Sequence, residues 1–364
     1  MINGLKKVLF TLIGLANVLC IALMLLVGYS DRLSPEAHPT LGWVGITFPA
    51  FVLVNLLFVP LWALLSKRGL LIPVVGFLLA FPPIRIYMPL HLPGEPPEGS
   101  LRIISYNVAG YGGNYKYDHA FDSVFSYIIA HKPDIVCLQE DMTSKWLDTQ
   151  ERYAEVFAYN DTTCLTRKGA PRNCMGIHTR FPILRKERLA YSSPSNGSVA
   201  YYLQIGKDTV IVINNHLETS HLSAKERNRY QEILKGDMQR DTVRAETFFL
   251  KDKLLVSMRI RAHQVEVVQQ YVEAHRQYPI IVCGDFNDTP ISYTRHVMAK
   301  GLTDCFVETG NGLGLSFNRK GFNFRIDHMM CSSHLTPYAC EIDNKMDVSD
   351  HYPLLCWLKM RENP

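Results

Sequence analysis

The chain has 364 residues, more than one domain usually holds, with 38 Lys/Arg against 34 Asp/Glu and a formal charge of +4. Residues 1–97 carry six basic and three acidic groups, which leaves 32 and 31 for residues 98–364, a net of +1. That near-neutral balance excludes a protein that grips long nucleic acid mainly by charge, although a small basic groove fits within it.

Val8 to Tyr29 is a run of 22 uncharged residues behind Lys6-Lys7, long enough to span a bilayer and longer than a signal-peptide core. A second uncharged stretch, Leu41 to Leu65, precedes Lys67-Arg68, and a third, Leu70 to Ile84, is interrupted by Pro73, Pro82 and Pro83. The expectation is a membrane domain over 1–88 with three spans, about 8–29, 41–65 and 70–87. By the positive-inside rule the two basic pairs are cytoplasmic, which puts the loop 30–40 outside; the rest of the chain is outside if the third segment crosses, the favoured reading, and cytoplasmic if that segment is only re-entrant. Residues 89–99, with Pro89, Pro93, Pro96 and Pro97, read as a stiff linker to a soluble domain over 100–364.

The soluble part opens with an apolar strand, Ser100 to Ala109, ending on Ser105-Tyr106-Asn107 before a Gly-rich loop. Phe121, Val124, Phe125, Ile128 and Ile129 recur at helical spacing, so Ala120 to His131 is predicted as an amphipathic helix stopped by Pro133. The next buried strand, Asp134 to Glu140, finishes on an acid. The same order, a helix leading through Pro into a buried strand and a carboxylate, returns at Ala274 to Asp285. Two similar halves that bring Glu140 and Asp285 to one edge of a core would explain it.

Cys164 and Cys174 flank a polar loop and are placed to close a disulfide in an oxidising compartment, whereas no CxxC pair suggests zinc. A β-branched run from Thr209 delivers His216 at a strand end, where histidine serves equally as structural hydrogen-bonder or catalyst. Ser220 to Ala262 is rich in both charge signs and predicted helical; its Phe248-Phe249-Leu250 and Leu254-Leu255-Val256 clusters suit core packing, a flap or membrane contact. In Cys283-Gly-Asp-Phe-Asn-Asp288, Asp285 and Asn287 leave a buried strand two residues apart, a spacing that suits one pocket but also an ordinary turn. Asp327 lies in an apolar strand, and Ser349-Asp350-His351-Tyr352-Pro353 sets an acid beside an imidazole before the last strand.

Together these motifs resemble the endonuclease/exonuclease/phosphatase superfamily, and its deoxyribonuclease and neutral sphingomyelinase branches in particular. SYNV at 105–108, LQE at 138–140, NHLE at 215–218, GDFND at 284–288, RIDHMMCS at 325–332 and SDHYPL at 349–354 stand in the family's order. The resemblance implies a four-layer α/β sandwich of two packed mixed sheets with outer helices. It implies that Glu140 is the principal metal-binding acid, with Asn107 and Asp350 completing the site for Mg2+ or Mn2+. Asp285 and Asn287 would orient and deprotonate water, Asp327 and His351 would form an acid–imidazole pair, and His216 would bind phosphate or act as general acid. GIHTRFP at 176–182 has Thr179 where the family usually has Ser, which keeps the hydroxyl; Arg180 beside it reads as structural. The expected activity is a membrane-tethered, metal-dependent phosphoesterase acting outside the cytoplasm on a phosphodiester near the bilayer, a lipid headgroup first. The alternatives are a nuclease, with Tyr111, Tyr115 and Tyr117 as stacking residues, and a non-catalytic receptor or scaffold. A scaffold would be expected to have lost one of Glu140, Asp285, Asn287 or His351, and all four are present.

Overall fold

The structure, a computed structural model, describes residues 2–39, 41–92, 94–112, 119–142, 149–166, 173–220, 223–235, 240–319 and 322–362. Tyr115 and Tyr117 lie outside them.

Helix α1 (Ile2–Gly28) and helix α2 (Phe48–Leu65) cover the first two apolar runs. Stretches of 27 and 22 residues around them, at mean hydropathy 2.6 and 2.2, are long and apolar enough to cross a membrane. Polar side chains join the pair: Trp62 Nε1 donates to Asn17 Oδ1 at 3.1 Å and Asn55 Nδ2 to the Cys20 carbonyl at 3.1 Å. Such bonds hold helices together where burial of apolar surface gives no driving force. The third run departs from the expected single span. It breaks at Ala80 into α3 (Leu71–Leu79) and α4 (Phe81–Tyr87), because Pro82 and Pro83 have no N–H to continue the ladder. Among the described residues, two helices rather than three therefore meet the length needed to span.

The remaining strands are β1 (Leu101–Asn107), β2 (Ile135–Gln139), β3 (Tyr159–Cys164), β4 (Cys174–Thr179), β5 (Ile183–Arg188), β6 (Gly197–Ile205), β7 (Asp208–His216), β8 (Ile280–Asp285), β9 (Thr303–Asp304), β10 (Phe317–Arg319), β11 (Phe322–Phe324), β12 (Asp327–Cys331), β13 (Leu335–Ile342) and β14 (Leu354–Met360). They form one sheet in the order β13-β14-β1-β2-β4-β3, a second in the order β5-β6-β7-β8-β12-β9, and the hairpin β10-β11. Cys164 and Cys174, opposite each other on β3 and β4, are joined by a disulfide.

Alternation along the strands builds the layers. Ile103, Cys137 and Ile177 from the first sheet meet Val212, Ile281 and Met329 from the second. The outer face of the first sheet, with Ile104, Val136 and Leu138, covers the Ala120–Ala130 helix through Phe121, Val124 and Ile128. The outer face of the second packs on the long helix Arg240–Ala274 through Val265, Val268 and Val272. The result is helix, sheet, sheet, helix, the expected α/β sandwich.

The two halves match in pairing as well as in sequence. β1 and β2 are parallel, as are β7 and β8, and each pair is flanked by antiparallel strands. Parallel neighbours end at the same edge, so Asn107 pairs with Gln139 and His216 with Asp285, all at the C-terminal ends of their strands.

Two buried histidines carry a consequence for stability. Burial pushes His178 down to about 3 and His328 down to about 4. Both are therefore neutral in the fold, while in the unfolded chain they take up protons below about 6.5. Stability should be independent of these groups above about pH 6.5 and fall as pH drops from there towards 4, by roughly 1.4 kcal/mol per pH unit for each. Urea unfolding of the soluble domain's cooperative transition between pH 7 and 4.5 measures it; His178→Gln is expected to halve the slope.

Candidate active site

The strand ends converge on one carboxylate. Asp285 closes β8, where Gly284 adopts φ 128°; a Cβ there would sit 2.0 Å from the Asn215 carbonyl oxygen on β7. Only glycine permits the close approach that aims Asp285 across the sheet edge. Its Oδ1 accepts the Asn287 N–H at 2.8 Å, and its Oδ2 accepts from Asn107 Nδ2 at 3.1 Å. The same Oδ2 lies 3.6 Å from His351 Nε2 and 3.7 Å from His216 Nε2. His351 Nδ1 in turn meets Asp327 Oδ2 at 2.8 Å. Glu140 completes the group, 3.3 Å from Asn107 Nδ2 and 3.8 Å from His216 Nε2. Glu140 and Asp285, the acids that end the two halves, thus meet.

Glu140 and Asn287 hold φ of 54° and 53°, a left-handed backbone uncommon for such residues. Asn287 is fixed by Nδ2 donating to the Leu217 carbonyl at 3.0 Å. The turn bearing His351 is pinned by Ser349, whose Oγ donates to the Asn107 carbonyl at 2.7 Å and accepts the His351 N–H. Asn173 Nδ2 donates to His216 Nδ1 at 3.0 Å, which leaves the proton of that ring on Nε2, facing the acids.

Charge is distributed unevenly. Burial raises Asp285 to about 6, although His351 and His216 pull it back. Burial also opposes the charge of His351, but Asp327 and Asp285 outweigh it and lift the imidazole to about 10. His216 is lowered, by burial first, and stays a neutral donor. At neutral pH this is an imidazolium held between two carboxylates with a neutral N–H donor opposite. Such a set can accept a proton at Asp285 and stabilise anionic oxygen at His351 and His216.

The metal set fits in part. Glu140 is raised by burial and then by Asp350, two acids sharing a site in a way that a divalent cation would relieve. Asp350 also accepts from Arg319 Nε at 2.7 Å. Asn107 Oδ1 accepts the Ala109 N–H at 3.1 Å, and its amide nitrogen faces the acids. It holds Glu140 and Asp285 together as a donor.

Several residues that support the site carried no signal in the sequence. Arg261, 2% exposed, lies 3.3 Å from Asp288 Oδ2 and donates to the Glu218 carbonyl at 2.8 Å. It ties the GDFND turn to the end of β7 from the long helix. Gln139 Nε2 donates to Asn214 Oδ1 at 2.7 Å, a polar link between the two sheets directly beneath the strand ends. Arg180 sits at the opposite end of β2, 3.3 Å from Asp134, and is structural as expected. Tyr111 is buried with its hydroxyl on Asp141 at 2.7 Å and cannot stack on a base.

Glu140, His216, Asp285, Asn287, Asp350 and His351 line one cleft of about 450 Å3. A larger cleft of about 750 Å3 shares Phe317 with it but contains none of the eight predicted site residues.

A buried acid–imidazole–acid row at the C-terminal edge of paired α/β sheets suits hydrolysis by an activated water. Residues 104–351 match the model of the endonuclease/exonuclease/phosphatase family, and the chain belongs to that family. Residues 6–87 match a second model, a domain of unknown function. No curated protein matches the chain. Among solved structures, the human Nocturnin catalytic domain with bound sulfate is similar over 72% of this chain and 95% of its own at 17% identity and TM-score 0.53. ANGEL2, a 2',3'-cyclic phosphatase in complex with adenosine-2',3'-vanadate, is similar over 72% and 96% at 14% identity and TM-score 0.51. A protein from Beutenbergia cavernae named endonuclease/exonuclease/phosphatase covers 72% of each chain at 16% identity and TM-score 0.51. At these identities the likeness is one of fold.

The charge assignment predicts a bell-shaped rate profile. Asp285 acts when deprotonated, so kcat/KM should fall as pH drops through about 6; His351 acts when protonated, so it should fall again as pH rises towards about 10. Asp327→Asn removes the strongest charge holding the proton on His351 and should move the alkaline limb to lower pH, read from kcat/KM between pH 5 and 10.5.

Proposed function

We propose that the protein is a membrane-tethered, divalent-metal-dependent phosphoesterase whose preferred substrate is a phosphodiester at the bilayer surface, of phospholipid type. The observation that carries this reading is the meeting of Glu140, Asn107, His216, Asp285 and His351 at one edge of the two sheets, inside a single cleft. Asp285 takes the proton of an attacking water that Asn287 helps to orient. His351, as an imidazolium, and His216, through Nε2–H, stabilise the oxygens on which charge develops. Glu140 and Asp350 would hold Mg2+ or Mn2+, which neutralises charge on a phosphate oxygen or the leaving group.

Placement outside the cytoplasm rests on the basic pairs Lys6-Lys7 and Lys67-Arg68, which by charge belong on the inner side. The Cys164–Cys174 disulfide suits an oxidising compartment. Tyr29, after α1, donates to the Leu79 carbonyl at 2.8 Å, and the rings of Phe48 and Tyr87 lie 6.0 Å apart. Those contacts gather the end of α1, the start of α2 and the end of α4 on one side. A nuclease reading has Lys251 and Arg319 at the cleft. Trp43, Phe317 and Phe324 line the same cleft, whereas Tyr111 is buried away from it.

Hydrolysis of bis-p-nitrophenyl phosphate by the full-length protein should be abolished by EDTA and restored by Mg2+. Glu140→Gln and His351→Ala should each lower kcat at least about 100-fold. Activity indifferent to chelator and to both changes would overturn the metal-site reading. A reporter fused at the C-terminus should be active only outside the cytoplasm, and activity inside would reverse the orientation.

A further inference from the structure

One wall of the catalytic cleft comes from the membrane part of the chain. Trp43, in the turn that follows α1, and Ile46, in the 3-10 turn that leads into α2, line the same cleft as Glu140 and Asp285. The approach is close: a Cβ on Gly45 would lie 2.0 Å from the Ile291 carbonyl oxygen, six residues beyond Asp285. Ile291 belongs to the same buried cluster as Met24, Val27 and Phe48. Asp31 lies 3.3 Å from His296, and Arg325 Nη2 donates to the Ile86 carbonyl. The loop is therefore built into the domain.

Facing that loop is the long helix, whose Leu250, Leu254 and Met258 complete an apolar wall. Phe248 and Phe249 on the same helix are 64% and 52% exposed, large apolar rings left in the open beside the cleft. A site that bound only a water-soluble phosphate ester would have no use for such a wall.

We infer that this wall is a subsite for the hydrocarbon chain of an amphiphilic phosphoester, which lies between Trp43/Ile46 and Leu250/Leu254/Met258 while its phosphate sits at Asp285 and His351. The inference rests on the phosphoesterase reading and adds what the enzyme selects. The chain reaches the cleft from the bilayer along the loop between α1 and α2, where tryptophan is at home at the interface. Continuity of the wall with those two membrane-length helices is what favours a lipid chain over a nucleoside as its occupant.

The test uses full-length protein in phospholipid nanodiscs with monomeric p-nitrophenyl methyl, butyl and octyl phosphates, and with thymidine 5'-p-nitrophenyl phosphate. The readout is the octyl-to-methyl ratio of kcat/KM within each protein, in which any unfolded fraction cancels. Wild type should show a ratio of at least about 100, the gain from burying roughly four methylenes. Trp43→Ala and Leu254→Asn should bring it below about 10, and Leu254→Trp, which fills the slot, should make butyl the preferred ester. Partitioning into the disc raises the ratio equally in all proteins, so the variants isolate the wall. A ratio near one in wild type with the methyl ester still cleaved overturns the subsite and leaves the phosphoesterase reading standing. A high ratio unchanged in all three variants, or preference for the thymidine ester over the octyl ester, also overturns it. No cleavage of any ester defeats the phosphoesterase reading and this inference with it.

Discussion

The site depends on a buried carboxylate oxygen, Asp285 Oδ2, which meets Asn107 from the first sheet and faces His216 and His351. A charge in that place is costly unless it is paired and hydrogen-bonded. The fold supplies both by topology. Parallel pairing of β7 with β8 and of β1 with β2 brings four strand ends to one edge, and β12 runs back so that Asp327 stands opposite Asp285. His351 then lies between two acids and keeps a proton that a free histidine would lose. Much of the surrounding polar network, Asn173 on His216, Ser349 on the His351 turn, Arg261 on Asp288, holds these groups in register.

The apolar N-terminal helices and the α/β domain share packing as well as a polypeptide. Glu308 meets Arg85 at 2.8 Å, Asn311 bonds the backbone at His91, and the linker carbonyl of Pro89 accepts the Gly312 N–H at 2.8 Å. A linker tacked down in this way fixes how the cleft faces the helices, so that the stiffness expected from its prolines is reinforced by docking. The same constraint explains why Trp43 and Ile46 can contribute to the catalytic cleft.

Strand identity and the order of motifs were legible because buried strands read as unbroken apolar runs and the chemical groups follow directly at their ends. β1 and β7 fall within a residue or two of their expected limits. The repeated helix–Pro–strand–acid pattern anticipated the contact between Glu140 and Asp285. What stayed hidden depends on groups far apart in sequence. Arg261 looks like one more charge on a mixed-charge helix, and nothing local marks its bond to the Glu218 carbonyl. Nor does a sequence say which end of the Asn107 amide faces the pocket; its nitrogen does, with Oδ1 on the Ala109 N–H. The run 70–87 read as one span although Pro82 and Pro83 already carried the signal for the break at Ala80. The apolar clusters at 248–256 divide among core, cleft and open surface, a division that no local pattern announces.

The central claim is that His351 is held as an imidazolium by Asp327 and Asp285. Nitrogen-15 NMR of histidine-labelled full-length protein in chelator, with His351 assigned by the spectrum of His351→Gln, reads the protonation of both ring nitrogens directly. The account predicts a doubly protonated ring at pH 8 that loses its proton only near 10. A neutral ring at pH 8, titrating near the ordinary histidine value of about 6.5, would contradict it.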